Sequence, residues 1–114
     1  MLKAFKLPHR THLVGLYSGT MREDLADMAP ARLVPVLKMP QGDVVQDTLA
    51  MAETLHEQHP DAGLWPIDPS ARVFARWIVA EMHAGFGALR DACPMDLSHS
   101  WVDFPVSDAV QADI

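Results

Sequence analysis

The stretch Leu33-Val34-Pro35-Val36-Leu37-Lys38-Met39-Pro40-Gln41-Gly42-Asp43-Val44-Val45-Gln46-Asp47-Thr48-Leu49 decides the fold. Residues 33–37 are apolar and partly β-branched, the composition of a strand. Pro35 in their middle cannot donate to a ladder, which makes this an edge strand or a special site. Pro40-Gln41-Gly42-Asp43 has the chemistry of a turn. Val44-Val45 forms the core of a second short strand, so the pair predicts a β-hairpin. Asp47 and Thr48 then open a helix of about three turns, with Leu49, Ala52 and Leu55 or His56 along one face. That helix ends near His59-Pro60.

Working outward toward the N-terminus, residues 22–28 have weak helical spacing and run up against Pro30. Residues 12–16, from His12 to Leu16, are a short apolar run that predicts a strand, and Tyr17-Ser18-Gly19-Thr20 is a loop. Lys3-Ala4-Phe5-Lys6-Leu7 reads as the tail of a helix stopped by Pro8.

On the other side, residues 61–69 hold Gly63, Pro66 and Pro69 and mark the main boundary of the chain. Asp68 serves as an N-cap and Pro69 fits the first turn of a long helix, expected to run unbroken to about Ala92. Phe74, Ile78, Met82 and Phe86 recur at four-residue steps, and Val73, Trp77, Ala80 and Ala84 form a second stripe beside them. Such a broad apolar surface requires burial on more than one side. Trp65, Trp77 and Phe86 are expected in the core. Gly85 and Gly87 mark a close approach of another backbone. Cys93 closes the helix before Pro94, the chain is irregular from Pro94 to Pro105, and a further helix opens at Ser107.

Composition excludes several function classes. With 49% hydrophobic and 21% charged residues over 114 positions, the chain is globular rather than disordered. The net charge of −6 is uneven: residues 1–40 carry six basic and three acidic side chains, and residues 41–114 carry three basic and twelve acidic. The acidic part offers no clustered Lys and Arg, so no nucleic-acid partner is expected. No apolar run approaches a membrane span and no secretory signal opens the chain. A single cysteine cannot form an internal disulfide, and the chain reads as cytoplasmic. The six histidines lack HxxxH or HxH spacing, so no metal is expected. His83 either faces a substrate cavity or is simply packed or solvated.

Residues 33–37, then Val44 to Glu53, then His59-Pro60-Asp61-Ala62-Gly63-Leu64-Trp65-Pro66, resemble the glutathione S-transferase family in order and spacing. Ala71-Arg72, Ala80-Glu81-Met82-His83-Ala84-Gly85-Phe86, Ala88-Leu89-Arg90 and Pro94-Met95 look like one bacterial subgroup of it. The resemblance implies an α+β fold. Residues 1–60 would be a partial thioredoxin-like N-terminal domain, 61–68 a linker and 69–114 the start of the helical C-terminal domain. It also implies a partial chain, lacking the first strand and most of the helical domain. The family's catalytic Ser, Tyr or Cys would then lie ahead of Met1, leaving the catalytic residue of this chain unknown and open strand edges prone to aggregation.

Glutathione is the co-substrate implied, a small electrophile its reaction partner, and a homodimer the assembly of the complete protein. The implied glutathione-binding residues are Val34, Pro35, Asp47 and Thr48. A helix N-terminus suits the γ-glutamyl carboxylate, with the Thr48 hydroxyl as an added donor and Asp47 as partner for the ammonium. The Val34 backbone would pair with the cysteinyl backbone, given a cis bond at Val34–Pro35. Asp47 and Thr48 are equally ordinary helix-capping residues. One departure concerns the Lys that many family members place directly before the Val-Pro pair: here that position is Leu33, with Arg32 one residue earlier. Three functions fit: a glutathione transferase, a transferase-like binding module without chemistry, and a glutathione-dependent isomerase of the maleylacetoacetate isomerase type.

Overall fold

The β-hairpin forms where the sequence places its turn. A computed structural model describes residues 1–16, 18–95 and 98–114; Tyr17, expected in a loop, lies outside them. β1 (Val36–Lys38) pairs antiparallel with β2 (Val44–Gln46), with Val36 opposite Gln46 and Lys38 opposite Val44. The turn between them is closed by Gly42 N–H donating to the Met39 carbonyl at 2.9 Å and Met39 N–H donating to the Asp43 carbonyl at 2.8 Å. Gly42 adopts φ +105°, a conformation that L side chains rarely take.

β1 is shorter than the apolar run suggests. It starts at Val36, and residues 33–35 bend instead of pairing. A side chain replaces the missing ladder bonds. The Gln46 amide oxygen accepts from Arg32 N–H at 2.6 Å and Leu33 N–H at 3.0 Å. Val34–Pro35 is cis, as expected, and Ala29–Pro30 is cis as well.

The strand expected at residues 12–16 is absent. A strand exists only where a neighbour accepts its hydrogen bonds, and the backbone bond closing this stretch is a local one, Ser18 N–H to Gly15 C=O. Leu13 and Leu16 are exposed. The Lys3 to Leu7 segment does end as a helix ends. Leu7 N–H donates to Leu2 C=O, Lys6 N–H donates to Lys3 C=O, and Lys6 is left-handed at φ 55°. That is the Schellman pattern of bonds. The weak spacing of residues 22–28 becomes α1 (Met21–Asp24) followed by a 3₁₀ turn (Ala26–Met28).

α2 (Thr48–Gln58) buries Met51, Ala52 and Leu55; of the expected face, Ala52 and Leu55 are buried, Leu49 and His56 are half-buried, and Met51 is an addition. A 3₁₀ turn (Pro60–Ala62) follows. α3 (Pro69–Ala84) begins as expected, with the Asp68 carboxylate accepting from Ala71 N–H at 2.7 Å. The Arg72 guanidinium donates to the carbonyls of Pro66 and Ile67, each at 3.0 Å, and fastens the preceding loop.

The unbroken helix to Ala92 is not observed. α3 stops at Ala84 and α4 (Gly87–Ala92) starts afresh, with Phe86 between them at φ 63°. Apolar periodicity continues through the break, which hides it from the sequence. Arg90 caps the stopped helix by donating to the carbonyls of Met82 and Gly85. A Cβ on Gly85 would stand 2.6 Å from the Glu81 carbonyl oxygen, so the close approach there is to the helix's own last turn. Gly87 faces open space and serves no such approach. Cys93 caps α4, as expected, and is exposed. α5 (Asp108–Asp113) opens on Ser107, whose hydroxyl accepts from Val110 N–H at 3.3 Å. The Asp113 carboxylate accepts from Leu89 N–H at 2.9 Å and ties α5 to α4.

The chain divides into two compact units, Met1–Arg72 and Val73–Ile114. In the first, Leu7, Leu25, Met39, Met51, Ala52, Leu55 and Trp65 are buried. In the second, Val110 is buried at 2% exposure, while Val73, Phe74, Trp77, Ile78 and Met82 stand exposed along α3. Trp65 is therefore core as expected, but Trp77 is not, at 63% exposed. Its contact is edge-on to Phe74, with centroids 5.9 Å apart, on the same helix. No helix of the described residues is long and apolar enough to cross a membrane.

Candidate functional site

Val36 and Gln46 face each other across the hairpin, so the residues next along each strand are brought together. Those residues are Pro35 and Val34 on one side and Asp47 and Thr48 on the other. The ladder stops at this point, and the two segments diverge into a bend and a helix start. The four residues implied by resemblance thus share one end of the hairpin.

Asp47 adopts φ 86° and caps α2, its carboxylate accepting from Leu49 N–H at 2.8 Å. Its carbonyl takes Met51 N–H at 3.0 Å. The N–H groups of Thr48 and Ala50 have no acceptor among the described residues, the usual situation in a helix's first turn. They form a small patch of donors at the positive end of an 11-residue helix. Asp47 and Thr48 are exposed, and Val34 is half-buried with its backbone N–H and C=O outside any ladder. Capping by Asp47 is therefore real, and it leaves the Thr48 hydroxyl and the neighbouring N–H groups facing outward chemistry.

Gln46 is the residue that sequence reading does not single out. Its side chain holds residues 32 and 33, and through them the bend that presents Val34. The available signal was its place at the last paired position of β2, one residue before the cap. Arg32 reaches this region through its backbone N–H, and its side chain lies on a depression beside α1. His83 is exposed on the last turn of α3. Among the described residues no group of three or more His, Cys, Asp or Glu side chains could hold a metal ion.

Residues 1–58 match the family model for the glutathione S-transferase N-terminal domain. The chain belongs to the glutathione S-transferase family. Within that family it is similar to a probable maleylacetoacetate isomerase of Caenorhabditis elegans, 36% identical over 78 residues. That match takes in 68% of this chain and 36% of the nematode protein, so the chain spans well under half the length of the relative. No solved structure matches it significantly. The matched residues 1–58 include the hairpin, the cap and all of α2, so the family match and the candidate site fall on the same part of the chain.

Proposed function

We propose that this chain supplies the glutathione-holding part of a cytoplasmic glutathione transferase, which works as a homodimer and conjugates glutathione to a small electrophile. The observation that supports it is the end of the hairpin, where the Val36–Gln46 pair sets Val34 beside the start of α2. The γ-glutamyl carboxylate would accept from Thr48 and the first-turn N–H groups. The ammonium would meet the Asp47 carboxylate. The Val34 N–H and C=O would pair with the cysteinyl residue as a strand does. Held this way, the thiol is presented to the electrophile: the thiol proton leaves, the sulfur electron pair forms the C–S bond, and the electrophile's own pair departs with its leaving group or, at an activated double bond, shifts to the neighbouring atom, which takes up a proton. An unassisted thiol, with a pKa of about 8.5, is mostly protonated near neutrality, so a group that lowers it is required. No residue of this chain is assigned that role.

The isomerase reading is favoured by the nematode relative, whose printed name is that of an isomerase. It uses the same glutathione contacts and differs in outcome, because an isomerase returns glutathione while a transferase consumes it. A binding module without chemistry would bind glutathione and do neither.

Calorimetric titration with glutathione tests the site. Asp47→Asn keeps an oxygen to cap Leu49 N–H and removes the charge, so it should fold like the parent and bind about tenfold or more weakly, the loss of one charged hydrogen bond of ~1.5–3 kcal/mol. Asp47→Ala should lose both cap and binding. Unchanged binding by Asp47→Asn would place glutathione elsewhere.

A further inference from the structure

In a helix continued from α3 into α4, the N–H groups of Phe86, Gly87, Ala88 and Leu89 would donate to the carbonyls of Met82, His83, Ala84 and Gly85. None of those bonds forms among the described residues. Two side chains take up groups so released. The Arg90 guanidinium donates to the carbonyls of Met82 and Gly85. The Asp113 carboxylate of α5 accepts from Leu89 N–H at 2.9 Å, and α5 packs against α4. The bond that a continuous helix makes between Leu89 and Gly85 is thus replaced at both of its ends.

Each form has something against it. The broken form holds Phe86 at φ 63°, where a residue with a side chain is disfavoured. It also confines position 85 to glycine, since a Cβ there would stand 2.6 Å from the Glu81 carbonyl oxygen. The continuous form is opposed by the poor helix propensity of Gly85 and Gly87. Otherwise it suits the sequence, because the four-residue apolar step of Phe74, Ile78, Met82 and Phe86 crosses the break. Leu89 has one N–H, which serves Gly85 in a continuous helix and Asp113 in the broken one. Asp113 therefore interacts differently with the two forms, which is what a latch requires.

We propose that residues 84–88 are a two-state joint latched by α5. With Asp113 on Leu89 N–H, α3 and α4 are separate helices. With that bond gone, they run as one helix through Ala92, and Phe86 joins the exposed apolar row of Phe74, Ile78 and Met82. Attachment of α5 and the break between α3 and α4 favour each other by the same factor.

NMR of the whole chain tests the latch. The Phe86 Cα shift and HN–Hα coupling report the sign of its φ, and amide exchange at Gly87 and Ala88 reports their missing helix bonds. The parent should show a left-handed Phe86 and fast exchange at both amides. Asp113→Ala removes the latch. Gly85→Ala sets a Cβ against the Glu81 carbonyl of the broken form and favours a helix. Each variant should move Phe86 to right-handed helical shifts and slow exchange at Gly87 and Ala88 about tenfold or more. Gly85→Ala should also speed exchange at Val110 and Gln111, because α5 then loses its hold on Leu89. Asp113→Asn keeps an acceptor oxygen and should behave as the parent. The proposal is overturned if Phe86 stays left-handed in either alanine variant, if residues 87–92 lose their helical shifts instead of joining α3, or if Asp113→Asn behaves as Asp113→Ala does.

Discussion

The two units of this chain use apolar residues in opposite ways. Residues 1–72 bury Leu7, Leu25, Met39, Met51, Ala52, Leu55 and Trp65, and the hairpin and α2 rest on that core. Residues 73–114 are at least as rich in large apolar side chains, yet Val73, Phe74, Trp77, Ile78 and Met82 lie open along α3. The lesson is that an apolar stripe states a demand for a partner and does not supply one. α2 has its partner within its own unit. α3 holds its shape by local means, the Asp68 cap at its start and Arg90 on its last carbonyls. The candidate site sits in the unit that is packed, which suits a site needing fixed geometry.

The strongest way to break this contrast is to remove the core of the packed unit. Leu55 is 3% exposed. Leu55→Ala should cost about 2–5 kcal/mol, read from urea unfolding followed by circular dichroism. A loss below about 1 kcal/mol would mean that α2 is not packed as described.

A middle-sized effect should come from the α3 cap. Asp68→Ala leaves Ala71 N–H without its acceptor and should cost about 1 kcal/mol of helix stability. Amide exchange along the first turn of α3 checks it, and unchanged rates there would show that the helix start is held by something other than the cap. The smallest effect belongs to the open face. Trp77→Gln should change the chain's stability by no more than about 0.5 kcal/mol, measured by the same urea unfolding. A loss above about 2 kcal/mol would show the face to be covered, in conflict with its exposure.

These contrasts also mark what was legible in the sequence. The turn at residues 40–43, the helix opened by Asp47, the cap at Asp68 and the start at Ser107 were all readable, because each depends on short-range chemistry. The candidate site was half legible. Asp47 and Thr48 stand out as helix-start residues, and Pro35 as a break in a strand, but Gln46 acts across the hairpin on residues 32 and 33, and sequence spacing shows no such long-range bond. The strand at residues 12–16 failed because strand formation needs a neighbour that composition does not specify. The long helix failed at Gly85-Phe86 because its apolar period runs through a break made by the left-handed Phe86 and an arginine cap. Trp77 failed as a core residue for the reason given above.

The proposed function puts glutathione on the packed unit, at the end of the hairpin and the start of α2. Hydrogen–deuterium exchange of the whole chain, with and without glutathione, tests it most directly. The expected result is slowed exchange at Val34 and at the Thr48 and Ala50 amides, no change across residues 73–114, and loss of the effect in Asp47→Asn. Protection confined to residues 73–114, or protection at Thr48 that persists unchanged in Asp47→Asn, would contradict it.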